Sequence, residues 1–280
     1  MARRLGSQDR YDATRIKLPT SFNGIFPYIM RGRNESVAYF PIKLEVDRLM
    51  DYIQASKGTD HEISFFEAVI IAMVKILRLR PTLNRYIVGR RLYQRRDVVI
   101  SFIAKRQFSD NGEEYNALLR VKPEDDIATL LGKLRGEIRA AKTGSEAHGD
   151  KIFDFFFSLP RSVLRLAVRL LESWDFYVDT PGFLRAMDPL RASVYLSNLG
   201  SIGLGAPYHH LFEWGTCSLF VSIGQIHKAI VVGDDDQPAV RRVVDLKASL
   251  DERIADGYYD ARSLDLFREY FADPEQLQSI

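Results

Sequence analysis

The chain has 280 residues, a length that suits one or two domains. Its hydrophobic share of 46% with 27% charged residues is ordinary for a protein with a buried core, and it excludes wholesale disorder. The 39 Lys and Arg residues nearly balance the 37 Asp and Glu residues. The single cysteine, Cys217, excludes an intrachain disulfide framework and a cysteine-rich metal site. No apolar run approaches the ~18 residues of a membrane span, and no signal peptide is recognisable, so a cytoplasmic location is expected.

Apolar spacing predicts strands and helices in a mixed order. The predicted strands share an alternation of apolar and polar residues: 37–46, 96–104, 115–121, 193–198, 218–224, 229–232 and 240–250. A turn at 110–112 joins the second and third of them. A capping box from Ser64 to Glu67 opens a helix that Pro81 ends, a second helix is predicted over 126–142, and a closing helix carries Phe267 and Phe271. Helices set among hairpin strands favour an α+β fold.

Charge is distributed less evenly than the total suggests. Residues 75–106 contain ten basic residues and one acidic residue, whereas residues 250–280 contain eight acidic and three basic residues. Such a basic stretch can face nucleic acid or phosphate. Its charges interleave with apolar strand positions, however, which favours solvated strand faces and ion pairs with the acidic tail. We therefore expect no nucleic acid as a partner.

Residues 152–190 differ in pattern from the rest of the chain. After Pro160, Arg161, Arg165 and Arg169 recur at every fourth residue, which places them on one stripe of a helix opposite a set of apolar residues. This pattern is typical of a helix packed on its own domain with a hydrated basic face, the interpretation that we favour. The alternative is an amphipathic helix, within 152–176, on an anionic membrane surface.

Three segments hold the residues of chemical interest. Ser197-Asn198-Leu199-Gly200-Ser201-Ile202-Gly203 leads from a strand into a glycine-rich turn, and Tyr208-His209-His210 follows it. Leu250-Asp251-Glu252-Arg253-Ile254-Ala255-Asp256-Gly257 joins the last strand to the closing helix. In this order, and with Pro81-Thr82-Leu83-Asn84 after the capping-box helix, they resemble the catalytic domain of the acyltransferase component of 2-oxo acid dehydrogenase complexes. The resemblance to chloramphenicol acetyltransferase is more distant.

The resemblance covers residues 26–277 except 152–190, where the family has a shorter connection. It implies a two-layer α/β sandwich, with a mixed sheet and helices on one face, that assembles as a homotrimer. It also implies an active site between subunits, in a channel that coenzyme A enters from one side and the acyl acceptor from the other. Residues 1–25 are predicted to form an N-terminal arm, and residues 26–280 a single domain with an insertion at 152–190.

The last motif of the family reads Asp-His-Arg-x-x-Asp-Gly, and its aspartate is structural. Carried over to this chain, that role falls to Asp256, with Arg31 or Arg33 as the expected arginine partner. Gly257 is then the small residue that lets the chain turn into the closing helix.

The chain departs from the family at the general base, because Glu252 stands where the family has histidine. A glutamate has an ordinary pKa of about 4.3, against about 6.5 for histidine, so it is the weaker base toward a thiol. Burial would raise the pKa of such a carboxyl, whereas an ion pair with Arg253 would lower it. One interpretation is therefore a structural anion in a site that has lost acyl transfer.

The other interpretation exchanges the two roles. Tyr208-His209-His210 stands where the family loop of a neighbouring subunit places the hydroxyl that stabilises the oxyanion, so His209 or His210 would face Glu252 across the interface. A carboxylate that orients an imidazole makes it a competent general base. The candidate catalytic residues are His209, His210 and Glu252, with Ser201 and Asn198 of the glycine-rich turn.

Paired histidines also raise the question of a metal site, with Glu252 or Glu213 as a third ligand. Adjacent residues of an extended segment point to opposite sides, which disfavours chelation, and no metal is expected. The predicted function is acyl transfer between coenzyme A and an unidentified thiol, hydroxyl or amine acceptor, with the basic stretch as a source of phosphate contacts. The alternative is an inactive trimeric scaffold or binding protein of the same fold.

Overall fold

A computed structural model describes residues 9–105, 114–143, 157–182, 185, 188–233 and 236–280. The main feature of this part of the chain is a seven-stranded mixed sheet. Its strands run in the order β2 (Val37–Glu45), β10 (Pro238–Asp251), β8 (Leu219–Ile223), β7 (Val194–Asn198), β5 (Val98–Lys105) and β6 (Glu114–Val121), and β9 (His227–Val232) pairs with the first half of β10. Strand β7 pairs in parallel with β5 and β8, and the other pairings are antiparallel. The predicted α+β class with a mixed sheet is confirmed.

Helices cover one face of this sheet and form the main core with it. They are α2 (Asp47–Ser56), α3 (Phe65–Leu79), α4 (Ile127–Lys142) and α6 (Gly257–Ala272), after the short α1 (Phe26–Ile29). Strand residues of one parity, such as Leu44 and Val221, point into this core because side chains alternate along a strand. Helix α3 begins with the predicted capping box, in which Ser64 Oγ accepts from the Glu67 amide and the Glu67 carboxylate accepts from the Ser64 amide.

The other face of the sheet carries a smaller aromatic cluster. Tyr195 of β7 and Phe220 of β8 stack with ring centroids 5.3 Å apart, next to Leu211 and Cys217 of the loop between these strands. Cys217 is buried in this cluster. The loop that contains the paired histidines therefore lies on the face opposite the helices.

The N-terminal residues join a second sheet that the sequence patterns did not predict. Its three antiparallel strands run in the order β1 (Ala13–Ile16), β4 (Arg91–Arg95) and β3 (Arg85–Val88). Gly89 and Arg90 make the turn from β3 to β4, with φ values of 59° and 61°. Two left-handed residues in succession are what a tight hairpin turn of this type needs.

A buried cluster of ion pairs joins the N-terminal residues and this second sheet to the 152–190 insertion. Its pairs are Arg10–Asp175, Arg95–Asp12, Arg185–Asp12, Arg185–Asp179, Arg191–Asp175 and Arg191–Asp188. Burial alone would raise the pKa of Asp12, but Arg95 and Arg185 lower it below its ordinary value. Arg95 belongs to the basic stretch, and its partner is thus an N-terminal acid and not the acidic tail.

Helix α5 (Arg161–Tyr177) is the helix predicted within the insertion. None of its residues is fully buried; Leu164, Val168 and Leu171 are half-buried, whereas the three arginines of the predicted stripe are exposed. Among the described helices, none combines the length and apolar character that crossing a membrane requires. The predicted turn at 110–112 lies outside the described residues.

Candidate functional site

The turn between β10 and α6 holds the predicted motif at 251–257. Asp251 is fully buried and forms a two-point ion pair with Arg253, with 2.8 Å between Nε and Oδ1 and 2.7 Å between Nη2 and Oδ2. Ser36 Oγ donates to the same carboxylate at 3.0 Å, and Arg253 Nη1 donates to the Met30 carbonyl at 3.0 Å. Charge-assisted hydrogen bonds therefore fix the turn to the segment that precedes β2.

Glu252 lies between these two buried residues and is itself exposed. Its amide donates to the Ser36 carbonyl at 2.9 Å. The ion pair considered for Glu252 and Arg253 is replaced by the pair of Arg253 with Asp251. The Glu252 carboxylate is consequently at the subunit surface.

Asp260, which the sequence analysis did not single out, lies in the first turn of α6. It is 1% exposed, and its Oδ1 has no hydrogen-bond partner in the described part of the chain. Burial, with smaller contributions from the charges of Asp256 and Glu252, raises the pKa of Asp260 to about 7. The sequence does contain a signal for the burial of Asp260, because this residue stands seven positions before Phe267 and therefore on the same apolar face of the closing helix.

Asp256 acts as the N-cap of α6, since its Oδ1 accepts from the Tyr259 amide at 2.8 Å. Among the described residues it is not the ion-pair partner of Arg31 or Arg33, contrary to the expectation from the family motif. Gly257 is the first residue of the helix, and a Cβ at this position would meet no atom within 4 Å. The turn into α6 therefore does not need a glycine for space.

Arg33 ties the segment before β2 to the loop that follows the histidines. Its buried guanidinium donates to the carbonyls of Glu213 at 2.6 Å and Gly215 at 2.8 Å. The Glu213 carboxylate in turn accepts from the amides of Arg33 at 3.0 Å and Asn34 at 2.9 Å. Burial alone would raise the pKa of Glu213, but these amides lower it below its ordinary value. Glu213, considered as a metal ligand, is thus occupied with the backbone, while Arg31 is exposed.

The two histidines form a stack on the sheet face opposite the helices. His209 lies on Phe220 with ring centroids 4.0 Å apart, and His210 lies on His209 at 4.6 Å. Phe212 packs against both imidazoles at 5.4 Å and 5.3 Å. His209 is half-buried in this stack, and His210 is the exposed outer ring.

Backbone carbonyls fix the tautomer of both imidazoles. His209 Nδ1 lies 2.6 Å from the His210 carbonyl oxygen, and His210 Nδ1 lies 2.9 Å from the Leu211 carbonyl oxygen. A carbonyl oxygen only accepts hydrogen bonds, so Nδ1 carries the proton in each neutral ring. Nε2 then holds the free lone pair, which is the state that a general base requires.

The glycine-rich turn after β7 holds the other candidates. Ser201 is exposed in a 3-10 turn, and its Oγ donates to the Asn198 carbonyl at 2.8 Å. A Cβ at Gly200 would lie 2.4 Å from the Gly224 carbonyl oxygen, so only glycine fits where this turn passes the end of β8.

The strand register places the glycine-rich turn, with Asn198, far from Glu252 within one subunit. Asn198 pairs with Ile223, and Ile223 pairs with Leu246 of β10. Leu246 is six residues before Glu252, which corresponds to roughly 20 Å along a strand. The histidine loop lies between the two ends, because Ser249 Oγ on β10 donates to the His209 carbonyl.

A basic groove lies beside the β3–β4 turn. It has a volume of 720 Å³, and the charged residues of its lining are Asp9, Arg15, Lys17, Arg90 and Arg91. None of the four cations is in an ion pair within the described ranges. A neighbouring cavity of 440 Å³ shares Arg90 and extends to Arg253 of the motif. Arg90 and Arg91 belong to the basic stretch at 75–106, whereas Arg15 and Lys17 come from a separate part of the sequence that was not singled out.

No cluster of three or more His, Cys, Asp or Glu side chains that could hold a metal ion is found in the described residues. The chemistry that the site offers is proton transfer by an imidazole and anion binding by arginines.

Comparison with known proteins identifies the C-terminal part of the chain. Its sequence fits the family described as 2-oxoacid dehydrogenases acyltransferase (catalytic domain) over residues 182–279. Residues 182–279 carry the acyltransferase family pattern. This range contains the histidine loop, the motif around Glu252 and the closing helix. No curated protein sequence matches the chain.

Solved acyltransferase structures share the fold across most of the chain. The probable dihydrolipoamide acetyltransferase of Listeria monocytogenes is 18% identical, with a TM-score of 0.59 over 91% of this chain and 94% of that chain. The cubic core of a pyruvate dehydrogenase multienzyme complex is 15% identical, with a TM-score of 0.62 over 91% and 87% of the two chains. Chloramphenicol acetyltransferase is 12% identical, with a TM-score of 0.55 over 92% and 99%. The resemblance predicted from the sequence is confirmed, and the chain has an acyltransferase-like fold.

Proposed function

We propose that the protein is a homotrimeric acyltransferase that moves an acyl group between coenzyme A and a thiol, hydroxyl or amine acceptor. The observation that carries the proposal is the pair of stacked imidazoles whose Nδ1 atoms are bound to carbonyls. This arrangement leaves Nε2 of both rings without a backbone partner within the described residues, and both histidines lie within the matched range 182–279.

Assembly of several subunits would bring the separated residues together. In one subunit Asn198 and Ser201 lie about 20 Å along the sheet from Glu252, a separation too long for a shared reaction centre. Glu252 is exposed and has no arginine partner among the residues that the structure describes, because Arg253 is held by Asp251. The backbone carbonyls already orient both rings through Nδ1, so we expect the Glu252 carboxylate of one subunit to act by its negative charge, which stabilises the imidazolium formed in the next subunit.

The free Nε2 of the imidazoles determines the order of steps in the proposed reaction. Nε2 of His209 or His210 takes the proton of the acceptor, and the acceptor attacks the thioester carbonyl carbon. A hydroxyl such as Ser201 Oγ, freed from the Asn198 carbonyl, donates to the tetrahedral oxyanion. Collapse breaks the carbon–sulfur bond, and the coenzyme A thiolate takes the proton back from the imidazolium. Atoms and protons balance, and no redox partner is needed.

The basic groove fits the phosphates of coenzyme A. Arg15, Lys17, Arg90 and Arg91 supply cations without carboxylate partners in the described part of the chain, and arginine binds phosphate through paired hydrogen bonds. The neighbouring cavity shares Arg90 with the groove and is lined by Arg253 of the motif, so we expect it to take the pantetheine arm.

The experiment is a thioester cleavage assay with the full chain. A panel of acyl-coenzyme A donors is combined with thiol, hydroxyl and amine acceptors, and the released thiol is measured with a thiol reagent. Cys217 contributes little background, because it is buried. Turnover that depends on both donor and acceptor supports the proposal. Trimer formation without turnover for any pair would instead identify an inactive scaffold of the same fold.

A further inference from the structure

Helix α5 presents a stripe of large apolar side chains to solvent. They follow one another at intervals of three or four residues, and the exposed fractions are 46% for Val163, 57% for Leu166, 60% for Leu170, 53% for Trp174 and 73% for Tyr177. Single exposed apolar residues are common on protein surfaces, but five along one helix face form a contiguous patch. Such a patch marks an interaction surface.

The stripe is separate from the face that packs on the protein itself. Leu164, Val168 and Leu171 are half-buried and share another side of the helix. Leu164 lies roughly 100° around the helix from Val163, at 3.6 residues per turn. The packing of α5 on its own domain therefore leaves the stripe uncovered.

A third face of the helix is basic. Arg161, Arg165 and Arg169 are exposed, and none of them takes part in an ion pair within the ranges that the structure describes. The first eleven residues of the helix contain no acidic residue. Arg169 lies about 60° around the helix from Leu166, so its long side chain can extend along the border of the stripe.

The C-terminal end of α5 is held against the rest of the protein by buried contacts. Arg10 donates to Asp175 at 2.8 Å inside the buried ion cluster. The Phe176 carbonyl lies so close to the β3–β4 turn that a Cβ at Gly89 would be 2.2 Å from it. The stripe is therefore held in a fixed position on the surface of the folded domain.

We propose that α5 binds the surface of an anionic lipid bilayer. The stripe would enter the boundary between headgroups and acyl chains, where Trp and Tyr side chains are favoured, and the arginines would contact anionic headgroups. Charge favours this occupant over a second copy of the chain, because two stripes packed together would bring two sets of unpaired arginines to one interface.

The test is flotation of the full-length protein with two kinds of vesicle. One kind contains phosphatidylcholine alone, and the other contains phosphatidylcholine with about one-third phosphatidylserine. We expect flotation with the anionic vesicles, weakened by salt. Leu166→Glu with Leu170→Glu should reduce the affinity by more than about tenfold, and Arg165→Gln with Arg169→Gln by roughly tenfold. Ile230→Glu, at an exposed residue of β9, should leave it unchanged.

Three results would overturn the proposal. The unmodified protein stays with the soluble fraction for both kinds of vesicle, or it floats equally with both and the arginine variant is unaffected. The third result is a smaller oligomeric mass, measured by light scattering, for the Leu166→Glu, Leu170→Glu variant than for the unmodified protein. That result would assign the stripe to contact between copies of the chain. Far-UV circular dichroism of each variant establishes that it is folded.

Discussion

Asp251 and Arg253 form a buried two-point ion pair that flanks the exposed Glu252 on both sides. Arg253, which was considered as the ion-pair partner of Glu252, thus neutralises the fully buried Asp251. This pair fixes the shape of the turn and leaves the Glu252 carboxylate exposed, where the proposed trimer would present it to a neighbouring subunit.

Removing Arg253 should destabilise the protein strongly. Arg253→Met leaves the Asp251 carboxylate buried without its cation, which is expected to lower the free energy of unfolding by about 3–5 kcal/mol. Arg268→Met is the matched control, because Arg268 pairs with Asp265 at 2.6 Å on the surface, where about 1 kcal/mol or less is expected. Urea titrations of both variants measure the difference. Equal effects for the two would contradict the assigned importance of the buried pair.

The Asp260 carboxyl should make stability depend on pH. Its pKa is raised to about 7 in the folded protein, against about 3.9 for an unfolded aspartate, so the folded state binds more protons between these values. Stability from this group is therefore present below pH 4 and is lost as the pH rises through 7. Asp260→Asn has no proton to lose, so its free energy of unfolding relative to the unmodified protein should increase between pH 5 and pH 8.

Glu269→Gln is the control for that measurement, because Glu269 is an exposed carboxylate on the same helix. Its effect on the free energy of unfolding should be the same at both pH values. A difference for Asp260→Asn that is equally independent of pH would show that the carboxyl is ionised throughout.

The glycine-rich turn after β7 should tolerate substitution at one glycine and not at another. Gly200→Ala places a Cβ 2.4 Å from a backbone oxygen, so the chain must move, at an expected cost of roughly 1–3 kcal/mol. Gly205→Ala in the same loop is the control, since a Cβ there meets no atom within 4 Å. Thermal unfolding of both variants checks this, and a Gly200→Ala protein as stable as the control would refute the close approach.

Binding of coenzyme A should depend on the basic groove. Arg90→Gln with Arg91→Gln removes two cations that lack carboxylate partners in the described chain, so KM for the acyl-coenzyme A donor should rise roughly tenfold with kcat little changed. Arg120→Gln is the control, because Arg120 pairs with Asp97 on the surface. A rise in KM for both variants would point to overall charge and not to the groove.

Local patterns were sufficient to predict the strands of the main sheet and three of the four helices that cover it, whereas α2 was not predicted. The alternation in β2 and the capping box of α3 are signals between neighbouring residues, and the structure forms both elements as predicted. The three-stranded sheet was missed because its strands are short and β4 carries Arg95 at a buried position. Arg95 is only 4% exposed, and Asp12 neutralises its charge in the buried position. Asp12 stands 83 residues earlier in the chain, so no local pattern encodes the pairing.

The candidate site was predicted in its composition and not in its geometry. The motif identified Glu252 and the two histidines, but the tautomers depend on carbonyls that only a folded loop brings to Nδ1. Asp256 caps helix α6 and has no ion pair with Arg31 or Arg33 in the described part of the chain, and Arg253, which was considered for Glu252, pairs with Asp251. Asp260 was passed over because its signal is a single polar residue on an apolar helix face.

The proposed exchange of roles between histidine and glutamate is tested by measuring kcat in the thioester assay for three variants: His209→Ala, His210→Ala and Glu252→Gln. His209→Ala or His210→Ala should lower kcat by about 100-fold or more, and Glu252→Gln should lower it by a smaller factor, since the carboxylate only stabilises the imidazolium by its charge. His227→Ala, outside the stack, should have full activity. Full activity of both His209→Ala and His210→Ala, with activity abolished in Glu252→Gln, would contradict the exchange.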